Sequence, residues 1–393
     1  MIVRQFLHWL RTAPSGERAE ATSALARAYL FSDLSESDRA AAEGAMIMLL
    51  DDPSPLVRQA LADVFGGSEY APPAIVHSLI NDQPDVAVPL LERSPLLLDT
   101  DLVEAVASGE GARQAAVAAR AFVPCAVAAA IAEIGSAEAC LVLLENEGAD
   151  IVPASLDRIV ARHGHLAPIR ETLLARDELS PATRQALIAK LSQTLAAFVA
   201  SREWLSDERA GRITHEACEK ATLTLAADSS ADDMQPLVRH LRESEQLTAG
   251  LMLRALLSGH LALFEEALAE LTEMSPSRVA GIVHDRRGAG FRALYDKAGL
   301  PATTFQVFRD ALDAIREEGA WSEPGGPSRL KRSIIERVLT RCESAEIGEI
   351  EPLLTLLRRY AAEAARDEAR LFCDELVADD GWALGYEEPL AAA

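Results

Sequence analysis

The segment His215-Glu216-Ala217-Cys218-Glu219 comes closest to known enzyme chemistry in this sequence. Zinc proteases use His-Glu-x-x-His, in which two histidines one helical turn apart bind the metal and the glutamate acts as the base. Here Glu219 stands where the second histidine should be. On a helix, His215 and Glu219 would face the same way, but catalytic zinc needs a third protein ligand and none is indicated. We interpret the segment as an exposed helix face and expect neither a metal nor another cofactor.

Two further clusters have the residue types of a binding site. His163-Gly164-His165 lies in a predicted loop, where we favour an inter-helix turn with one histidine near the carbonyl groups of a helix end over a metal site. Gly288-Ala289-Gly290-Phe291-Arg292-Ala293 has the letters of a dinucleotide fingerprint but lacks the preceding buried strand that this motif needs. Arg286 and Arg287 beside it could bind a phosphate group at a helix start, although a plain loop is the favoured interpretation.

The sequence lacks the motifs of two large enzyme classes. No glycine is followed by lysine, so there is no Walker A loop, and Gly66-Gly67-Ser68-Glu69-Tyr70 lacks the last glycine of a nucleophile elbow. No carboxylate pair stands out among the 61 acids. The sequence therefore favours a protein without enzymatic activity.

The pattern of apolar residues predicts an all-α protein. Apolar residues recur at intervals of three and four, and the breaks carry helix-start and helix-stop residues. Ser35 and Asp38 resemble a capping box, and Ser180-Pro181 is typical of a helix start. Few aromatic residues, 5% of the chain, also suit closely packed helices better than a β-sandwich.

A weak internal repeat lies in the N-terminal half. The segment 52–61 is followed about thirty residues later by a similar segment at 81–87, and then by one at 112–116. An acid in a turn followed six positions later by an arginine resembles HEAT-type helical repeats, and Asp52 and Arg58 match this pair in identity and offset. We predict a HEAT-like solenoid of stacked helical hairpins. Arg58 should then contact a neighbouring turn, with Asp82 and Asp85 as the nearest acids.

Four segments carry a longer resemblance to one bacterial family. They are 90–97, 253–259, 264–269 and 297–301, which read LLERSPLL, LRALLSG, FEEALA and KAGLP. Together they resemble the family catalogued as domain of unknown function 2336, over roughly residues 30 to 305. The resemblance implies a helical-repeat fold and supplies no catalytic residues, because no activity is established for that family.

We predict four regions along the chain. HEAT-like repeats occupy residues 1–204, and a second, non-repetitive helical region occupies 205–318. A linker at 319–329 contains two prolines and three glycines, which cannot hold a helix. Residues 330–393 form a C-terminal helical hairpin and an acidic tail. The alternative is that both C-terminal helices pack separately on the main body.

Composition limits the partners and the compartment. The chain has 393 residues with 38 basic and 61 acidic side chains, a net charge of −23, which repels phosphate backbones and argues against general nucleic-acid binding. Five scattered cysteines without a Cys-x-x-Cys pair fit reduced thiols and a cytoplasmic protein.

These features predict an interaction scaffold or regulatory adaptor that binds another protein through a helical-repeat surface. The candidate interaction residues are Phe6, Trp9, Arg113, Arg286 and Arg287. The amphipathic first helix, which contains Phe6 and Trp9, has too few basic residues for strong membrane binding, so docking on the protein's own helices is favoured.

The alternative is a HEAT-like enzyme of the DNA glycosylase type. Such enzymes line a concave face with basic side chains that hold the duplex. A local basic groove would have to form despite the acidic composition, and its candidates are Arg58, Arg113, Arg158 and Arg162.

Overall fold

The computed structural model describes residues 9, 12–176, 179–285, 288, 290–318, 331–342 and 351–383. These residues form 21 α-helices and one short 3-10 turn, Ala302–Thr304. The described part contains no β-strand, and its extended pairing is a single bridge between Val123 and Ala149. The prediction of an all-α fold is confirmed. Among these helices, none has both the length and the apolar character required to cross a bilayer.

The chain divides into two compact units, residues 1–179 and 180–393. The helices of the first unit are short, mostly of two to four turns. They are α1 (Ser15–Phe31), α2 (Glu36–Leu49), α3 (Pro55–Phe65), α4 (Pro73–Leu79), α5 (Pro84–Arg93), α6 (Asp99–Ala107), α7 (Gly111–Ala118), α8 (Cys125–Ile134), α9 (Ala137–Glu145), α10 (Pro153–His163) and α11 (Ala167–Leu174).

Local sequence sets the starts of these helices. Ser35 caps α2 by accepting a hydrogen bond from the backbone N–H of Asp38 at 3.2 Å, as the sequence predicts. Pro55, Pro84 and Pro153 begin α3, α5 and α10, where the missing N–H of proline costs no helical hydrogen bond.

Within the first unit, alternate helices pack against one another. The odd-numbered helices form a series from α1 to α11, and α6, α8 and α10 form a second series. This arrangement buries one apolar face of each helix, such as Val57 and Leu61 of α3, against its neighbours.

Arginines connect the turns of the first unit. Arg58 donates from Nη2 to Asp82 at 2.9 Å and from Nη1 to the backbone carbonyl of Asp52 at 2.5 Å. The predicted contact between Arg58 and Asp82 is therefore confirmed. Arg18 makes a similar pair with Asp52 at 2.8 Å. The classification of this unit as a HEAT-like solenoid stays a prediction.

The second unit contains longer helices as well as short ones. They are α12 (Pro181–Ser201), α13 (Asp207–Asp228), α14 (Ala231–Glu243), α15 (Ala249–Leu257), α16 (Leu261–Thr272), α17 (Pro276–Val283), α18 (Phe291–Lys297), α19 (Phe305–Glu318), α20 (Arg332–Cys342) and α21 (Glu351–Ala383).

The boundary between the two compact units lies at residues 179/180, before the boundary at 204/205 that the sequence predicts between the repeats and the second helical region. Helix α12 packs along α13 and also contacts α14, so it belongs to the second unit. The local pattern of α12 resembles that of the earlier helices, which is why periodicity alone assigned it to the repeats. The predicted linker, 319–329, lies outside the described residues.

The C-terminal helices form part of the core of the second unit. Helix α20 packs against both α19 and α21, so the predicted contact between the last two helices is present. Ile334 and Ile335 of α20 and Leu357 and Tyr360 of α21 are buried in the same apolar cluster as Phe308 of α19. The last two helices therefore complete this core together with the helices that precede them, and their antiparallel arrangement as a hairpin stays a prediction.

Candidate functional site

The segment that resembles a zinc-protease motif faces a buried arginine. His215 is more than half exposed, and its Nε2 lies 3.4 Å from Oε1 of Glu219. The hydrogen bond to Glu219 raises the pKa of His215. Oε2 of the buried Glu219 lies 3.5 Å from Nε of Arg254. In the part of the chain that the structure describes, no three or more side chains of ligand type come together as a metal site.

Arg254 is the centre of a buried charge network. It is only 1% exposed although it lies in the apolar run of α15. Its Nη1 donates to Oε1 of Glu363 at 2.9 Å, and its guanidinium lies 4.4 Å from the ring centroid of Tyr360. Burial raises the pKa of the Tyr360 phenol, which keeps this group neutral beside the charges. The network thus joins α13, α15 and α21 through one arginine.

A small cavity of about 230 Å³ lies beside this network. Lys220 on its wall forms salt bridges with Asp367 at 2.6 Å and with Glu363 at 3.4 Å. Arg359 pairs with Glu216 on the same helices. Because these charges neutralise one another across α13 and α21, the arrangement serves to hold the helices together. Arg254 lies in one of the segments that carry the family resemblance, and its position inside an apolar run is the signal that could have identified it.

The two other predicted clusters occupy turns. His163 ends α10, and its Nε2 lies 3.4 Å from the carbonyl oxygen of Gly135, the residue that ends α8. Burial lowers the pKa of His163, which favours the neutral ring. Gly288 has a φ of +62° and precedes α18 in a helical environment. Arg286 and Arg287 lie outside the described residues, as does Phe6. Trp9 is described and is 37% exposed.

The arginines of the proposed basic groove are engaged within the chain. Arg113 donates to the backbone carbonyl of Asp82 and pairs with Glu110 at 2.8 Å. Arg162 donates to the carbonyl groups of Ala132 and Gly135, both at 2.7 Å. Arg58 is used as described above, and Arg158 pairs with Glu133 at 2.7 Å. These arginines therefore act as internal connectors. The side chain of Arg113 is also largely buried, at 13% exposed.

Exposed apolar residues lie at or just before the starts of α6, α8 and α10 in the first unit. Leu98, Phe122 and Val152 are 68%, 64% and 39% exposed. Leu98 and Val152 are the N-cap residues of α6 and α10, and Phe122 lies two residues before the N-cap of α8. We call these three residues the turn row.

Backbone contacts place the turn row along one edge. Arg120, just before Phe122, donates to the carbonyl groups of Leu91 and Ser94, at 2.6 and 2.8 Å, in the turn that leads to Leu98. On the other side, the N–H of Val123 donates to the Gly148 carbonyl at 3.2 Å, and the N–H of Asp150 donates to the Val123 carbonyl at 2.9 Å. The turn of Phe122 therefore lies between the other two turns.

A groove lies beside Phe122, between the turns that precede α6 and α8. Its volume is about 670 Å³, and its walls come from the turns before α6 and α8. Apolar wall residues include Pro95, Leu97, Phe122 and Pro124. This depression could accept apolar side chains of a ligand, while the adjacent Leu98 and Phe122 remain available for contact.

A second exposed apolar surface lies on the α12–α13 pair of the second unit. Leu195 and Phe198 of α12, Trp204 of the connecting turn and Ile213 of α13 are all at least 46% exposed. The rings of Phe198 and Trp204 contact each other edge to face, with centroids 5.8 Å apart. This surface has no counterpart in the sequence prediction.

Comparison with known proteins identifies the family. Neither the curated proteins nor the solved structures include a match to this chain. One family described as uncharacterised protein conserved in bacteria, domain of unknown function 2336, matches residues 86–348, about two-thirds of the chain. The match includes α6, α8 and α10 of the turn row and the whole helix that contains Arg254. The chain belongs to this bacterial family.

Proposed function

We propose that the protein is a non-enzymatic interaction scaffold or adaptor that binds another protein through the turn row. The observation that carries this proposal is the recurrence of exposed Leu98, Phe122 and Val152 at the starts of three successive helices of one series. Single exposed apolar residues are ordinary on protein surfaces, whereas an apolar row beside a groove is typical of an interaction site.

Burial of the turn row would supply binding energy. Full burial of a leucine or phenylalanine side chain contributes about 1.5–3 kcal/mol. Stacked helical units are well suited to this role because each unit adds its own contact to an extended surface. Burial of Leu98 and Phe122 would therefore supply part of the binding free energy, against the cost of association.

The DNA glycosylase alternative receives less support. Such an enzyme needs basic side chains directed at phosphates. Arg58, Arg113 and Arg162 instead donate to carbonyl and carboxylate groups of the chain itself. The turns around the row are acidic, which disfavours a phosphate backbone. The free thiols of Cys125, Cys140, Cys218 and Cys373 support the accompanying proposal of a reducing, cytoplasmic location.

Matched variants test the proposal. Leu98→Ser/Phe122→Ser removes two members of the row, and Ile134→Ser changes an equally apolar residue, 48% exposed, at the opposite end of α8. Affinity capture from the native host with quantitative mass spectrometry should recover a partner with wild type and Ile134→Ser, and lose it with the double variant. Equal recovery by all three proteins, each with a wild-type melting curve, would contradict the proposal.

A further inference from the structure

We infer that the partner of the turn row is a basic, extended peptide segment with apolar side chains about three residues apart. This inference rests on the proposed function and adds the chemistry of the ligand. It follows from the charge of the turns, from the groove between them and from the spacing of the helices.

The three turns of the row are acidic. Residues 94–101, 119–124 and 145–153 contain one basic residue, Arg120, and five acids, which are Asp99, Asp101, Glu145, Glu147 and Asp150. Four of the five acids are exposed; the fifth, Asp101, accepts a hydrogen bond from the backbone N–H of Leu98.

Glu92 and Arg93 on the groove wall cancel each other, and Arg120 offsets one of the five acids, so the turns stay net acidic. Both terminal nitrogens of Arg120 donate to backbone carbonyl groups, so this cation is engaged within the chain. Exposed carboxylates therefore outnumber arginines along the turns of the row, and a ligand that complements this surface carries lysine or arginine between its apolar residues.

The groove defines where the apolar part of the ligand enters. Between Leu97 and Phe122 the depression of about 670 Å³ has room for more than one large side chain. Pro95 and Pro124 form rigid apolar walls without backbone N–H donors, while Glu92, Asp99 and two arginines also line the groove, so it can accept an apolar side chain flanked by polar ones.

The spacing of the row fits an extended chain. Packed helices lie about 8–10 Å apart, and α6 packs on α8, which packs on α10. A polyproline II segment rises about 3.1 Å per residue with three residues per turn, so every third side chain faces the same way at intervals of about 9 Å. A ligand of this form places one apolar side chain at each turn and basic side chains between them.

Peptide selection tests the inference directly. A phage-displayed library of random 15-residue peptides is selected on the full chain and depleted on the Leu98→Ser/Phe122→Ser variant. We expect the surviving sequences to be rich in lysine and arginine, with apolar residues at intervals of three. The best synthetic peptide should bind the double variant at least about tenfold more weakly and Ile134→Ser as tightly as wild type.

A separate variant tests the contribution of the acidic side chains to peptide binding. Glu147→Gln/Asp150→Asn removes two carboxylates and leaves the apolar row intact, so it should weaken the peptide several-fold and reduce the dependence of binding on salt between about 50 and 300 mM. Circular dichroism and melting curves equal to wild type establish that each variant is folded.

The outcomes separate the inference from the proposed function. Selected peptides that are neutral or acidic, that show a seven-residue spacing, or that bind independently of salt would overturn the inference. If no row-dependent peptide is selected but partner capture is still lost in the double variant, the ligand is a folded surface: the inference fails and the proposed function stands. Capture that is unaffected by the double variant overturns the proposed function itself.

Discussion

Arg58 shows how a single side chain connects two turns of the first unit. It contacts Asp82, 24 residues away, and the carbonyl of Asp52, with side chains less than one-fifth exposed. We expect Arg58→Ala to lower the free energy of unfolding by about 1.5–3 kcal/mol, because charged hydrogen bonds are lost and Asp82 keeps a partly buried charge. Urea denaturation measures this change. The exposed Arg27→Ala serves as the control and should stay within about 0.5 kcal/mol of wild type; an equal effect of both substitutions would show that Arg58 is not a connector.

Asp82 should make the stability of this unit sensitive to acid. The hydrogen bond from Arg58 holds the pKa of Asp82 below its usual value. A carboxyl group with a depressed pKa in the folded state stabilises the fold above the unfolded pKa of about 3.9, and this contribution disappears as the pH falls through the folded pKa. Melting temperatures between about pH 2 and 5 should therefore fall less steeply in Asp82→Asn than in wild type. If the melting temperatures of both proteins fall equally with pH, the depressed pKa of Asp82 is contradicted.

Arg254 should be the most sensitive position of the second unit. Its removal takes the buried cation from between Glu219 and Glu363, which keep the more exposed His215 and Lys220 as partners. Arg254→Met is expected to cost about 3–5 kcal/mol in the free energy of unfolding. Adding Glu219→Gln and Glu363→Gln to Arg254→Met should restore much of this loss in urea denaturation. A triple variant no more stable than the single one would show that packing on Tyr360 is the main role of Arg254.

At the level of single residues, sequence reasoning succeeded where the partner lies in a nearby turn at the predicted spacing. The offset between turns predicted the contact of Arg58 with Asp82. It did not predict the partners of Arg254, because Glu363 lies 109 positions later and no local pattern connects them. The exposure of Leu98 and Phe122 was missed for the same reason, since burial depends on which helices meet.

Among the elements, the last two helices are expected to be necessary for the second unit. They contribute Ile334, Ile335, Leu357 and Tyr360 to its core, and Glu363 to the partners of Arg254. Truncation after residue 318 should therefore give insoluble protein or a non-cooperative melt, as seen by differential scanning calorimetry. A soluble fragment with a sharp transition would instead show that these helices form an independent unit.

Element starts could be predicted better than element partners. Serine caps such as Ser35 and first-turn prolines such as Pro181 act through the backbone of their own helix, so the sequence near them is sufficient. The assignment of α12 to the second unit depends on packing with α13 and α14, which periodicity does not encode.

For the whole molecule, net charge and surface shape point to the same kind of partner. A chain of net charge −23 attracts basic ligands, and under the proposed function the turn row adds the apolar contact that makes such an encounter specific. The fold class and the family were accessible from composition, periodicity and the quoted segments. The candidate site was not, because it consists of residues brought to one edge by stacking.

A photo-crosslinking measurement in the native host tests the central claim most directly. The photoreactive amino acid benzoylphenylalanine replaces Phe122 in the turn row or, as the control, Ile134 at the opposite end of α8. Irradiation of cells that produce the full chain should link position 122 to one predominant protein, and the link should be absent at position 134. No crosslink at position 122, or the same set of proteins at both positions, would contradict the claim that the turn row binds a protein partner.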